Sequence, residues 1–143
     1  MKGHSDTKIS MSNDSASNPV SNKPGRKGLK RIIWASLYSV KGIRAAWTHE
    51  AAFRQELCLM LLLLPAAFWL GQTALEQIIL ILPLFLVVII ELINSAIEAV
   101  VDRISDEQHK LSGRAKDMGS AAVMFSLLLT VICWTLVAWQ RFG

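Results

Sequence analysis

Residues 118–139, "MGSAAVMFSLLLTVICWTLVAW", carry no charge. As a helix rising about 1.5 Å per residue, this run is about 33 Å long, enough to cross a hydrocarbon core of about 30 Å. Two shorter apolar runs precede it, 57–71 ("LCLMLLLLPAAFWLG") and 77–90 ("QIILILPLFLVVII"). Each reaches spanning length only if its helix continues into the neighbouring Glu-bearing sequence. Composition supports that continuation. Of 143 residues, 52% are hydrophobic, and three buried helices would leave too little polar surface to cover a soluble core. The expected fold class is therefore an all-α membrane protein with three transmembrane helices, at 50–71, 76–101 and 118–139. Residues 1–56 precede the first apolar run, which is not expected to be a signal peptide.

The flanks differ in kind. Residues 1–28 are rich in Ser, Asn, Lys, Gly and Pro, the composition of a disordered tail dispensable for chemistry. Over 29–48 the apolar positions Leu29, Ile32, Ile33, Leu37, Val40, Ile43 and Trp47 follow helical spacing, with Lys30, Arg31, Lys41 and Arg44 among them. That pattern predicts an amphipathic helix lying on an anionic membrane surface. Most of the 15 Lys and Arg precede the first span, and Arg103, Lys110, Arg114 and Lys116 lie between the second and third. The connection "GQTALEQ" has none. The positive-inside rule then puts the N-terminus and the 102–117 loop in the cytoplasm and the C-terminus outside. The net charge of +4 is an orientation signal, and no nucleic-acid partner is expected. Cys58 and Cys133 fall inside spans, where thiols serve as small apolar fillers. His4, His49 and His109 show no metal-ligand spacing.

Against this apolar background, "LVVIIELINSAIEAVVDRIS" (86–105) stands out. Glu91, Asn94, Glu98 and Asp102 are three, four and four residues apart, so a helix presents them as one stripe with Ser95 beside it. Glu91 lies about 10 Å from Glu98 along the axis, on the membrane-interior side, and Asp102 is at the mouth. Glu50, Arg54 and Glu56 of "THEAAFRQE" belong to the same interface, as do Glu107, His109, Lys116 and Asp117 of the loop. An ionisable group at depth costs about 2.5–3.5 kcal/mol on an insertion scale and is a functional hypothesis by default. Two carboxylates in different surroundings can divide the work, one taking a proton and the other holding a cation. Glu50 and Glu98 offer the hard oxygen ligands suited to Mg²⁺, which keeps waters and borrows ligands from phosphates. The plainer reading is interhelical hydrogen bonding through Asn94 and Ser95, with Asp102 and Arg103 forming a solvated helix end. The residues themselves define a cytoplasm-facing polar site in a small membrane protein without naming its reaction. No G-x-x-x-x-G-K-[ST] phosphate loop and no H-R-D or D-F-G set occurs.

The stretches "RAAWTHEAAFRQE", "ELINSAIEAVVDRIS" and "HKLSGRAKDMGSAAV" resemble the prokaryotic integral-membrane diacylglycerol kinases, a resemblance that extends over residues 29–143. It implies a homotrimer of three-span subunits with an N-terminal surface helix and shared active sites. The implied reaction transfers the γ-phosphoryl group of ATP to diacylglycerol, giving phosphatidic acid. By that resemblance Glu91 is the general base, and Glu50 and Glu98 carry Mg²⁺ with ATP. Arg31, Tyr38, Glu107, His109, Lys116 and Asp117 match nucleotide-contacting positions. Arg31, Ser39, Arg44, Trp47, Arg54, Glu56, Asn94 and Ser120, together with Glu91, fall in lipid-substrate segments, with Asp102 supporting. Trp34 and Val40 stand where the family can carry Lys and Trp. Three other functions remain open at this point: phosphorylation of undecaprenol by a sister enzyme, proton or ion handling through Glu91, and a non-catalytic membrane assembly.

Overall fold

The computed structural model describes residues 28–104 and 109–143; the tail expectation for 1–28 lies, apart from Gly28, outside the described residues. The described residues form four helices in order: α1 (Leu29–His49), α2 (Ala51–Leu70), α3 (Ala74–Ile104) and α4 (Lys110–Phe142). No strand occurs among the described residues. Helices α2, α3 and α4 are each long and apolar enough to cross a membrane, so the chain is an integral membrane protein built as an all-α fold. Both α3 and α4 extend well beyond their apolar runs, which brings the Glu-bearing turns of α3 into continuous helix.

The α2–α3 connection reverses the chain in three residues. Thr73 and Glu76 form a capping box there. The Glu76 N–H donates to Thr73 Oγ1 (3.2 Å), while Glu76 Oε2 accepts from the N–H groups of Gln72 (2.6 Å) and Thr73 (3.1 Å). Gly71 is required by proximity, since a Cβ would stand 2.8 Å from Gln77 Cγ and 2.9 Å from its backbone nitrogen.

Helix α3 is the central element, packing most extensively on α4 and then on α2. At the end carrying the α2–α3 turn, Ala67, Leu70, Leu80 and Val137 form a buried apolar cluster. Pro83 is fully buried one turn away. Its ring removes one N–H from the α3 ladder, and the indole Nε1–H of Trp134 in α4 donates to the Leu80 carbonyl in the same turn (3.1 Å). Such interhelical bonds in lipid are worth about 0.6–2 kcal/mol. Nearby, Arg141 lies over the rings of Trp69 (5.9 Å) and Phe142 (5.7 Å), an aromatic–cationic group typical of a membrane–water boundary.

Two contacts fix the opposite end as antiparallel. Asn94 of α3 packs on Gly119 of α4, and Asp102 of α3 pairs with Lys116 of α4. Helix α1 touches α2 and α3 only lightly. Ala46 is its one buried residue among those described, whereas Ile32, Ile33, Leu37, Val40, Ile43 and Trp47 are exposed. Its apolar face is thus left for lipid or for another chain to cover.

Candidate active site

Glu50 is where α1 ends and α2 begins. It is the single non-helical residue between them, with extended backbone (φ −107°, ψ 114°). Its N–H still donates to the Ala46 carbonyl (2.8 Å). The last turn of α1 leaves carbonyls without helical partners, and the Arg54 guanidinium supplies donors: Nη1 reaches Trp47 O at 2.9 Å and Thr48 O at 3.5 Å. A cation at a helix C-terminus also complements the helix dipole. Arg54 therefore holds the elbow that carries Glu50.

The elbow turns Glu50 toward the α3 stripe. Glu91 is buried at 3% exposure, and Asn94 and Ser95 are buried beside it. Asn94 stands three residues after Glu91 and four before Glu98, so it lies against both; its Nδ2 donates to Glu98 Oε1 (3.1 Å). Glu91 is within electrostatic reach of both Glu98 and Glu50. Glu56, one turn into α2, is within reach of Glu91, and its Oε2 is buried without a hydrogen-bond partner. Four carboxylates therefore converge from α2, α3 and the elbow, and among the described residues none is paired with a cation. Asn94 Oδ1 and Ser95 Oγ are also buried without partners.

An apolar groove of about 600 Å³ opens between α1 and α3 onto this cluster. Ser39, Gly42 and Ala46 line it from α1, Ser95 and Ala99 from α3, and Glu50 closes its end. The half-buried Glu50 and Glu98 carboxylates are hard oxygen donors in an acidic cluster without an ion-paired partner among the described residues, which fits a divalent cation in charge and ligand type. Among the described residues no group of three metal-ligating side chains closes around one point. The set therefore suits a cation that completes its shell with water and phosphate oxygens.

Other sequence-selected residues lie further out. Lys116 pairs with Asp102 and is within electrostatic reach of Glu98, so it brings positive charge to the rim. His109 caps α4, its Nδ1 accepting from the Leu111 N–H (3.2 Å). Asp117 and Ser120 are exposed on α4, and Glu107 lies outside the described residues. On α1, Ser39 Oγ donates to the Ala35 carbonyl (3.0 Å); Arg31, Tyr38, Arg44 and Trp47 are exposed. Tyr38 has Lys41 Nζ 5.9 Å from its ring and Trp34 6.2 Å away. Along α1, Arg31 is about 28 Å from Glu50 and Tyr38 about 18 Å, so one chain does not bring them to the carboxylates. Sequence reasoning did not find the Arg54 clamp or the contact of Gly119 with Asn94. The Arg at a helix junction and the small-xxx-small spacing of Ala115 and Gly119 were the available signals.

The fold and the site together define an integral membrane protein in which buried and half-buried carboxylates gather at one end of its helices, beside an apolar groove and a charged rim. Similarity to known proteins places it more narrowly. The family model described as "Prokaryotic diacylglycerol kinase" matches residues 37–138. Over 116 residues the chain is 55% identical to the diacylglycerol kinase of Escherichia coli strain K12, an alignment covering 81% of this chain and 95% of that protein. It is 48% identical over 107 residues to the diacylglycerol kinase of Haemophilus influenzae, covering 75% and 91%. The diacylglycerol kinase of Pseudomonas aeruginosa is also 48% identical, over 113 residues, covering 79% and 92%. The chain belongs to the prokaryotic diacylglycerol kinase family.

Proposed function

We propose that residues 29–143 form one membrane kinase domain that transfers the γ-phosphoryl group of ATP to the free hydroxyl of diacylglycerol, giving phosphatidic acid. The observation that carries this reading is the convergence of Glu50, Glu91 and Glu98, in no ion pair among the described residues, with Glu50 standing at the end of an apolar groove. Diacylglycerol reaches the groove from the bilayer and ATP reaches the rim from water, so the two substrates meet at the carboxylates.

Phosphoryl transfer needs positioning and charge neutralisation more than covalent chemistry. Glu91, the most buried of the four carboxylates, accepts the proton of the lipid hydroxyl as the hydroxyl oxygen bonds to the γ-phosphorus and the bond to the β,γ-bridging oxygen breaks, releasing ADP. Glu50 and Glu98 hold Mg²⁺ together with ATP. The cation, when bound, neutralises phosphate charge and orients the γ-phosphoryl group. Lys116 adds positive charge at the rim, and Asn94 keeps Glu98 in place through its 3.1 Å hydrogen bond. His109, Asp117 and Glu107 approach the nucleotide. Ser39, Trp47, Arg54, Glu56 and Ser120 border the lipid.

Arg31, Tyr38 and Arg44 reach the site from a neighbouring subunit or through an assembly-dependent placement of α1. The length of α1 and its uncovered apolar face support the homotrimer with shared sites that the family resemblance implies. The site faces the cytoplasm of the inner membrane, following the distribution of Lys and Arg.

A panel of lipid alcohols in mixed micelles tests the acceptor. With labelled ATP and purified protein, diacylglycerol is expected to be phosphorylated and undecaprenol to remain unlabelled. Label on undecaprenol alone would move the protein to a prenol acceptor.

A further inference from the structure

Asn94 stands between the carboxylate stripe of α3, where it meets both Glu91 and Glu98, and the facing surface of α4. Its Nδ2 donates to Glu98 Oε1 at 3.1 Å. Its Oδ1 is buried and accepts no hydrogen bond. That oxygen occupies the space where a side chain at Gly119 would begin: a Cβ built on Gly119 overlaps Asn94 Oδ1 and lies 3.2 Å from its Cγ. Gly119 is itself buried, on the face of α4 that packs against α3. The opposite amide orientation would set a carbonyl oxygen against the Glu98 carboxylate, so the hydrogen bond fixes which end of the amide faces α4.

We infer that Gly119 is a positioning residue for the kinase site: its missing side chain is the notch that seats the Asn94 amide oxygen and keeps Nδ2 on Glu98. The inference rests on the reading of Glu98 as a holder of the cation that accompanies ATP. Any side chain at 119 displaces the amide, and with it the only protein hydrogen bond that orients Glu98 among the described residues. Partners that orient metal-holding groups typically change metal affinity about 10–100-fold when removed. A purely structural role, in which Gly119 merely allows close helix packing, predicts lost stability without a selective change toward the nucleotide.

The test compares Gly119→Ala with Gly113→Ala, a glycine of the same helix whose built Cβ meets nothing within 4 Å. Rates are measured in micelles while MgATP and diacylglycerol are varied separately. For Gly119→Ala the KM for MgATP is expected to rise at least about tenfold while that for diacylglycerol stays within about twofold. Gly113→Ala is expected to match the unaltered protein. Thermal unfolding is then followed in an Asn94→Ala background, where the overlapping oxygen is gone and Gly119→Ala is expected to lower Tm no further. An unchanged KM for MgATP in folded Gly119→Ala would overturn the proposal, as would a Tm loss equally large in both backgrounds. If Gly119→Ala does not fold, the yield of folded protein is the readout. Recovery of that yield in the double variant supports the notch, and failure to recover it overturns it. The reading beneath fails separately, if Glu98→Gln leaves the MgATP dependence untouched.

Discussion

Glu91→Gln is expected to lower kcat by about 10²–10⁴-fold, the range that a positioned general base contributes, with little change in the KM for MgATP. Glutamine keeps the volume of the side chain and one acceptor oxygen, so the 3%-exposed site stays filled while the oxygen that takes the proton is replaced by an amide NH2. The loss belongs in kcat because the proton moves as the lipid hydroxyl attacks, a contribution made in the transition state and not in binding. Replacing a buried carboxylate also removes like-charge repulsion from Glu50, Glu56 and Glu98. The variant should therefore fold at least as well as the unaltered protein, which separates the catalytic loss from unfolding. Steady-state rates on protein verified as assembled make the check. A kcat within about tenfold of the starting value would place the base elsewhere.

Glu98→Gln is expected to act on the other substrate. The amide oxygen of the introduced side chain still accepts from Asn94 Nδ2, so the 3.1 Å contact is preserved while the negative charge is lost. The magnesium concentration at half-maximal rate should rise by more than about 10–100-fold, the usual cost of losing a group that merely orients a ligand. Glu50→Gln should behave similarly, since the elbow backbone is held by Arg54 and the Ala46 carbonyl and not by the Glu50 side chain. Titrating magnesium at fixed ATP checks both variants. A normal magnesium midpoint in both would remove these carboxylates from the metal.

The three apolar helices and the 91–94–98 stripe were legible in the sequence because both follow from local periodicity. An uncharged run of spanning length and polar residues three and four apart need no knowledge of tertiary contacts. The convergence of Glu50 on that stripe was not legible in the same way. It depends on a one-residue break between α1 and α2 that neither Gly nor Pro announces, and on a guanidinium reaching back seven positions to close it. Gly119 was hidden for a related reason. Its importance is the shape of a neighbour on another helix, and a glycine in a membrane helix has many ordinary uses. The placement of Arg31 and Tyr38 marks another limit, since helical spacing along α1 orders its faces but does not say how far they stand from the carboxylates. What the carboxylates do chemically was read from the family resemblance, because burial and spacing alone suit ion handling as well as phosphoryl transfer.

The account turns on phosphoryl transfer at these carboxylates, and one measurement tests it directly. Purified protein, stripped of divalent cations and placed in vesicles containing diacylglycerol, is given γ-labelled ATP before and after magnesium is restored. The account predicts labelled phosphatidic acid only after magnesium is added. Intact, assembled protein that forms no labelled lipid under either condition would contradict it.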